Sequence, residues 1–222
     1  MLARALHGGI IDNMNKTEIL ERLFGGSAKV KIIKLFLFNV REIFDKDTIS
    51  ERTKSSSANV RRELGSLEKI KFVKKRTFFK EFESRGKMIK KRVDGWYVNP
   101  EFPLLSALQQ LLIKTAPFSH NEIISKLSKA GKLKFVVITG VFIQDFDSRI
   151  DILVVGDNLS KARLDTSIKS MEAEIGRELR FSTFETADFK YRLDMYDKLV
   201  RDILDFDHEV VLDKMGIAQD SG

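Results

Sequence analysis

The stretch that decides the fold of the first half of this chain runs from Ser55 to Arg92, SSSANVRRELGSLEKIKFVKKRTFFKEFESRGKMIKKR. It begins with three serines, a residue type that caps helix N-termini, and continues with apolar residues at helical spacing. Two runs rich in aromatic and β-branched residues follow, separated by a short segment that contains Gly86. The stretch therefore predicts a helix followed by a two-stranded hairpin.

The charge of this stretch is as informative as its pattern. Residues 61–92 hold 13 Lys or Arg and four acidic residues, a net charge of +9. The whole chain of 222 residues carries only +7, because residues 1–100 carry +11 and residues 101–222 carry −4. An asymmetry of this kind indicates two domains, of which the basic one faces a polyanion. The alternative is a basic surface that is solvated and has no partner.

Composition disfavours several classes of protein. The chain has no cysteine, so neither disulfides nor thiolate chemistry is available. Its three histidines are scattered along the chain, and we expect neither a metal ion nor another cofactor. No apolar run reaches the roughly 18 residues of a membrane span, and the first residues lack the cleavage site of a signal peptide. We therefore expect a soluble, cytoplasmic protein with no membrane partner.

The N-terminal part of the chain predicts three helices ahead of this stretch. The first spans 16–24 and ends at a Gly-Gly pair, and the second spans 28–39 behind a cap at Ser27. The third is short and begins behind the pair Asp47-Thr48. In the hairpin we expect strands at 73–82 and 88–98, joined by residues 83–87.

This order, helices and then a hairpin, resembles the winged-helix domains of prokaryotic transcriptional regulators. The resemblance rests on the following residues: Val60, Arg62, Leu64, Leu67 and the Phe72-Val73 pair. It implies that the helix after the serine run enters the major groove of duplex DNA while the hairpin, the wing, lies on phosphates. One departure is Lys71, where the family usually has a turn glycine. We expect either a strained backbone at Lys71 or a turn that is built differently.

The resemblance also divides the candidate DNA-binding residues into two groups. In the major groove arginine pairs with guanine and asparagine with adenine, so Asn59, Arg61 and Arg62 are the candidate base contacts. A helix N-terminus binds phosphate, and the cations of a wing neutralise phosphates without discriminating between sequences. The remaining candidates are Ser56, Ser57, Ser66, Lys74, Lys75, Arg76, Arg85, Lys87 and Lys90.

Residues 101–116 predict a linker helix with one wide apolar face. That face is formed by Leu104, Leu105, Leu108, Leu111 and Leu112. It either packs against one of the domains or pairs with a second copy of the chain. A homodimer would place two winged domains at the spacing of operator half-sites. The sequence leaves both alternatives open.

Residues 117–214 alternate between predicted strands and helices, which is typical of a small α/β layer domain. We expect strands at 134–139, 148–156, 179–183 and 209–213. This half resembles the nucleotidyltransferase fold of the DNA polymerase β type. The resemblance rests on a strand that ends at Gly140, the run SRIDILVVGD at 148–157 and the segment RELRFSTFETADF at 177–189.

The chain departs from the active members of that fold at both catalytic motifs. Active members carry a Gly-Ser loop for the nucleotide and an Asp-x-Asp strand for Mg²⁺. Here Val141 replaces the serine and Arg149 the first aspartate, so that only Asp151 remains, as a residual ion pair with Arg149. The resemblance therefore implies a domain without catalytic activity. Its candidate groove for a nucleotide-like effector is formed by Gly140, Arg149 and Asp151.

These patterns predict an α+β protein with a winged helix at 16–100, a linker or dimer helix at 101–116 and a nucleotidyltransferase-like domain at 117–214. Residues 1–15 and 215–222 are expected to be disordered tails. The favoured hypothesis is a DNA-binding transcriptional regulator that is not an enzyme. Its expected partners are double-stranded DNA, a second copy of the chain and a nucleotide-like effector. The alternatives are an active magnesium-dependent nucleotidyltransferase and a winged-helix adaptor that binds other proteins.

Overall fold

A computed structural model of the chain describes residues 16–84, 87–113 and 118–217. Within these ranges the protein combines helices with two separate sheets, in agreement with the predicted α+β class. The chain divides into two compact units between Leu105 and Ser106, inside the segment predicted as a linker. None of the helices in these ranges is both long enough and apolar enough to cross a membrane. The predicted tail at 1–15 lies outside them.

The first unit consists of helices followed by a long hairpin. Its elements are α1 (Lys16–Phe24), α2 (Ser27–Phe38), α3 (Lys46–Thr53), α4 (Ser57–Lys69), β1 (Val73–Ser84) and β2 (Lys87–Val98). The two strands are antiparallel, with Val73 opposite Val98 at one end and Ser84 opposite Lys87 at the other. The order of elements is the predicted one, and both strands extend further towards the tip than expected.

Helix α2 lies at the centre of the first core. Seven of its 12 residues are buried: Val30, Ile32, Ile33, Lys34, Leu35, Phe36 and Leu37. Helix α4 adds the buried Val60, Leu64 and Leu67, which its helical spacing predicts to face inward, whereas Ile70, expected on the same face, is exposed. Phe44 forms a bridge to Trp96, so the base of β2 has a partner on both edges.

The caps of two helices differ from those predicted. Helix α2 begins at Ser27 itself, behind Gly26. The N-cap of α3 is Asp45 rather than the Asp47-Thr48 pair, because the Asp45 carboxylate accepts a hydrogen bond from the Thr48 N–H at 2.8 Å. The serine run behaves as predicted. Ser56 is the N-cap of α4 and accepts a hydrogen bond from the Asn59 N–H at 3.3 Å.

The turn from α4 into β1 contains a residue in the left-handed region. Lys71 has a φ of 60°, the conformation for which glycine is preferred, so the first alternative predicted for Lys71 is confirmed. The N–H of Lys71 donates to the Glu68 carbonyl and that of Phe72 to the Leu67 carbonyl, both at 2.9 Å. The Asn99 side-chain amide donates to the Lys71 carbonyl at 2.9 Å and holds the turn from outside.

Helix α5 (Leu105–Ile113) is shorter than the predicted linker helix, whose end at 114–116 lies outside the described ranges. Of its leucines Leu112 is buried, whereas Leu111 and the preceding Leu104 are exposed. The apolar face is therefore only partly covered in a single chain. The homodimer stays a prediction.

The second unit is a four-stranded sheet with helices. Its elements are α6 (His120–Leu127), β3 (Lys132–Ile138), β4 (Ile152–Asp157), α7 (Lys161–Ile175), β5 (Phe181–Phe184), α8 (Thr186–Asp194), α9 (Lys198–Leu204) and β6 (Glu209–Asp213). The strand order is β5-β4-β3-β6. Strand β3 is antiparallel to β4 and β6, whereas β4 and β5 are parallel and are joined by a crossover that contains α7.

Both faces of the central strands β3 and β4 are buried. One face packs against α8 and α9 through Phe135, Val137, Leu153, Val155, Phe189, Val200 and Ile203. The other face carries the equally buried Val136, Ile138, Ile152 and Val154. Met215 and Ile217 pack against the first face, so the ordered chain continues past residue 214. Residues 218–222 of the predicted tail lie outside the described ranges.

Candidate nucleic-acid interface

The outward face of α4 is a strip of small residues between cations, which we call the α4 strip. Its exposed members are Ser57, Ala58, Arg61, Arg62, Gly65, Lys69 and one acidic residue, Glu68. Two further candidates from the sequence, Asn59 and Ser66, are half-buried, and Ser56 is exposed at the N-cap. The structure therefore brings together the candidates on this helix, along one helix face and around one N-terminus.

Gly65 lies on this strip one turn from Arg61 and Lys69. A Cβ added at Gly65 would meet no atom within 4 Å, and its φ is outside the left-handed region, so neither packing nor backbone conformation requires glycine here. Glycine in a helix interior costs about 1 kcal/mol relative to alanine. With Gly65, helix α4 is therefore less stable than it would be with alanine at this position. In return, the helix backbone at Gly65 is accessible to a close approach.

The buried Glu63 supports the α4 strip from beneath. Its carboxylate accepts a hydrogen bond from Arg62 Nε at 2.8 Å and lies 3.2 Å from Lys29 Nζ of α2. Burial by itself would raise the pKa of Glu63, but the hydrogen bonds from Arg62 and Lys29 outweigh it and hold that pKa below its ordinary value. Arg62 is therefore oriented by Glu63. Arg61 is exposed and makes no ion pair with any residue that the structure describes.

The predicted phosphate contacts of the hairpin differ in whether they already form ion pairs with carboxylates. Three of them face carboxylates: Lys74 with Glu101 at 2.9 Å, Lys75 with Asp94 at 2.7 Å and Lys90 with Glu81 at 3.1 Å. These pairs are largely exposed, and exposed ion pairs are weak, so the lysines can exchange a carboxylate for a phosphate. Arg76 is exposed and has no such pair within the described ranges. Arg85 lies outside those ranges, and Lys87 is described by its backbone alone.

One lysine of the hairpin has a structural role. Lys80 Nζ lies 2.5 Å from Asp45 Oδ2 and 2.9 Å from Thr48 Oγ1. Burial would raise the pKa of Asp45, but hydrogen bonds from Lys80 and from Thr48 hold it below its ordinary value. Lys80 therefore fastens the middle of β1 to the N-terminus of α3 and fixes the position of the hairpin beside the helices.

In the second unit Gly140 and Asp151 lie side by side. Asp151 is completely buried, and its two carboxylate oxygens accept hydrogen bonds from the N–H groups of Val141, at 3.0 Å, and Arg180, at 2.8 Å. Gly140 has a φ of 59°, and a Cβ added to it would fall 2.2 Å from Asp151 Oδ1. Asp151 thus joins the segment after β3 to the segment before β5.

Arg149 does not join this pair. Strand β4 begins at Ile152 rather than at Ser148, so Arg149 and Asp151 lie in the irregular segment that leads into the strand. Arg149 Nη1 lies 2.7 Å from Asp202 Oδ2 of α9, and the expected ion pair between Arg149 and Asp151 is wrong. The predicted groove is therefore not assembled as expected. The carboxylate of Asp151 accepts hydrogen bonds from the protein itself, and Arg149 pairs with Asp202 instead.

The residues present do not fit the magnesium ion that the polymerase β resemblance would imply. Both oxygens of Asp151 already accept backbone N–H groups, and Arg180 Nε lies 3.5 Å from Oδ2. Across 16–84, 87–113 and 118–217 there is no group of three His, Cys, Asp or Glu side chains able to hold a metal ion. Metal binding at this position would first have to break the hydrogen bonds that hold the fold together.

Sequence reasoning missed two features of these sites, namely the Asp45–Lys80 contact and the open surroundings of Gly65. The first joins residues 35 positions apart, and no local sequence pattern predicts such a contact. The second had a signal, because a glycine inside a predicted helix is unusual.

Comparisons with known proteins add nothing to the assignment, since no family model, curated protein or solved structure matches the chain.

Replacing Asp151 by asparagine tests the structural role of this carboxylate. An amide would turn an NH₂ group towards a backbone N–H, so we expect the second unit to lose about 2 kcal/mol or more of its free energy of unfolding. Amide hydrogen exchange followed by mass spectrometry measures this as faster exchange in β3, β4 and β5. Asp147→Asn, in the exposed loop nearby, is the control and should exchange like the wild type. Unchanged protection in the Asp151→Asn variant would contradict the assignment.

The stability of the first unit should depend on pH through Glu63. Because folding lowers the pKa of Glu63 below its ordinary value of 4.5, its ion pairs contribute stability above that value and lose it as the pH falls through the folded pKa. We expect Glu63→Gln to be less stable than the wild type near neutral pH and to lose less stability on acidification to about pH 3.

Urea unfolding followed by the fluorescence of Trp96 measures this effect, since Trp96 is the only tryptophan and is buried in the first unit. Glu51→Gln, at an exposed position of α3, removes the same charge and should keep the pH dependence of the wild type. Equal pH dependence in the Glu63→Gln variant and in the wild type would show that Glu63 contributes nothing.

Proposed function

We propose that the chain is a DNA-binding transcriptional regulator whose first unit is a winged-helix domain that docks on duplex DNA. The observation that carries the proposal is the α4 strip, a line of small residues edged by Arg61, Arg62 and Lys69. The major groove of B-form DNA, about 12 Å wide, admits a helix of this kind. Small side chains let the helix backbone approach the base edges, while the cations reach the bases or the phosphates beside them.

Each part of the first unit has a role in this proposal. Arg61, Arg62 and Asn59 contact bases, and Glu63 orients Arg62 so that less side-chain freedom is lost on binding. Ser56 and Ser57 offer the N-terminus of α4 to a phosphate. Arg76 and the exchangeable lysines of the hairpin neutralise further phosphates. They supply affinity, whereas the helix supplies sequence preference.

The second unit, in this proposal, has no catalytic activity and serves assembly or effector binding. Val141 offers no hydroxyl to a nucleotide, and Asp151 is committed to backbone N–H groups. Of the three residues predicted to form the effector groove, the exposed Arg149 could still bind a phosphate if it exchanged Asp202 for it. The exposed Leu104, just before α5, and the exposed Leu111 on it would pair two chains in a homodimer.

Binding to a labelled duplex of random sequence should weaken steeply as salt is raised. Each phosphate contact contributes about 0.9 to the slope of the logarithm of the binding constant against the logarithm of salt concentration. We expect Arg76→Ala to reduce that slope by about 0.9. Fluorescence anisotropy at several salt concentrations measures both quantities.

The matched control is Lys169→Ala, which removes one exposed cation from α7 in the second unit. It changes the net charge by the same amount as Arg76→Ala but should leave the salt slope unchanged. Binding that is absent or independent of salt would refute the proposed function. Equal effects of the two substitutions would show that net charge, rather than the hairpin, governs binding.

Gly65→Ala should change stability and DNA affinity in opposite directions. Alanine is the better helix former by about 1 kcal/mol, so the first unit should become more stable in urea unfolding followed by Trp96 fluorescence. The added methyl group would hinder close approach to the groove, so binding in the anisotropy assay should weaken. Ala58→Gly is the reciprocal control, with lower stability and undiminished binding. A gain in stability without any loss of affinity would exclude a close contact at Gly65.

A further inference from the structure

The outer half of the hairpin exposes apolar side chains among its charges. Phe79 is 71% exposed, Met88 65% and Ile89 40%. One exposed apolar residue on a surface is ordinary. Three in the outer half of a single hairpin, within a stretch of net charge +9, suggest a partner that is anionic and also accepts apolar contacts.

Phe79 lies directly opposite Arg92 in the register of the two strands, and we call this pair the Phe79–Arg92 rung. Opposite residues of an antiparallel pair project from the same face, so the phenyl ring and the guanidinium group are neighbours. The other cations of this face in β1 and β2 are held by carboxylates: Lys75 by Asp94 and Lys90 by Glu81. Arg92 is exposed and has no ion pair with any described residue.

The other aromatic side chains of β1 are better covered than Phe79. Phe82 is half-buried and has Lys80 and Lys91 over its ring, at 5.6 and 5.9 Å from the ring centre. Phe78 is also half-buried and lies beside Gly95, where an added Cβ would fall 2.6 Å from its ring. Phe79 has neither a ring nor a cation over it among the residues that the structure describes. Packing within the first unit therefore does not account for a phenylalanine at this position.

Charge decides which partner fits the rung. A second copy of the hairpin would bring two stretches of net charge +9 together, and the repulsion disfavours that contact. A polyanion is attracted instead. Duplex DNA offers phosphates for Arg92 and stacked bases for Phe79 within one site, and apolar side chains are known to wedge between base steps. Anionic lipid would offer charge as well, but it does not require the narrow α4 strip beside the hairpin.

We propose that the Phe79–Arg92 rung is a two-part contact for duplex DNA, in which the ring of Phe79 packs against the bases and Arg92 holds an adjacent phosphate. This inference rests on the proposed DNA-binding function of the first unit. The two parts differ in their response to salt. Arg92 releases counterions from the phosphates, so its contribution falls as salt rises. The ring of Phe79 releases none, so its contribution is the same at every salt concentration.

Substitutions of the rung separate these two contributions in the anisotropy assay on the random duplex. We expect Phe79→Ala to weaken binding about tenfold at each salt concentration, with the slope of the wild type, as for the loss of an aromatic contact to a base. Arg92→Ala should reduce the slope by about 0.9. Phe206→Ala, which removes a 68%-exposed phenylalanine from the second unit, is the matched control and should bind like the wild type.

The outcomes distinguish this inference from the proposed function. A steep salt dependence in the wild type with undiminished binding by Phe79→Ala would overturn the rung and leave DNA binding intact. Absence of salt-dependent binding in the wild type would overturn both. A lower unfolding midpoint for Phe79→Ala, followed by Trp96 fluorescence, would assign the ring a structural role instead. If Phe79→Ala lost binding to vesicles of anionic phospholipid but bound DNA like the wild type, the rung would be a membrane contact and the inference would be refuted.

Discussion

The contact between Lys80 and Asp45 is the interaction on which the arrangement of the first unit depends. An isolated two-stranded hairpin is at best marginally stable in water, so strands of 12 residues each need support from the rest of the unit. Asp45 provides it by capping α3 and binding Lys80 of β1 with the same carboxylate. The bridge between Phe44 and Trp96 adds a second attachment next to the first. Together they hold the basic hairpin beside the helices of the first unit, as the proposed common binding surface requires.

Three buried carboxylates in different parts of the chain each link two separate segments of the structure. Asp45 joins α3 to the hairpin, Glu63 joins α4 to α2, and Asp151 joins the segments that flank two strands of the second sheet. A buried carboxylate without partners is very costly, and each of these is surrounded by hydrogen-bond donors. At Asp151 the donors are two backbone N–H groups, which account for a completely buried carboxylate in the second unit. The carboxylate is therefore not available to a ligand.

The net charge of the basic stretch overstates the number of cations that are ready to meet a polyanion. Lys74, Lys75, Lys80 and Lys90 each face a carboxylate. Arg61, Arg76 and Arg92 are exposed and have no ion pair within the described ranges. These arginines lie on the recognition candidate α4 and on both strands of the hairpin, so they outline a surface rather than a single cluster. Counting charges in the sequence identifies the basic unit, but only the ion pairs show which cations a polyanion can meet without displacing a carboxylate.

The sequence by itself determined the features that depend on near neighbours. The bounds of α1 and β6 and the inward face of α4 with Val60, Leu64 and Leu67 follow from local spacing and capping chemistry. Only the tertiary structure decided that Asp45 binds Lys80, that Arg149 pairs with Asp202, that Asp151 is fully committed and that Phe79 is left uncovered. Each of these depends on which residues distant in the chain come together, and a local pattern of side chains does not encode the position of a partner 29 or 35 residues away.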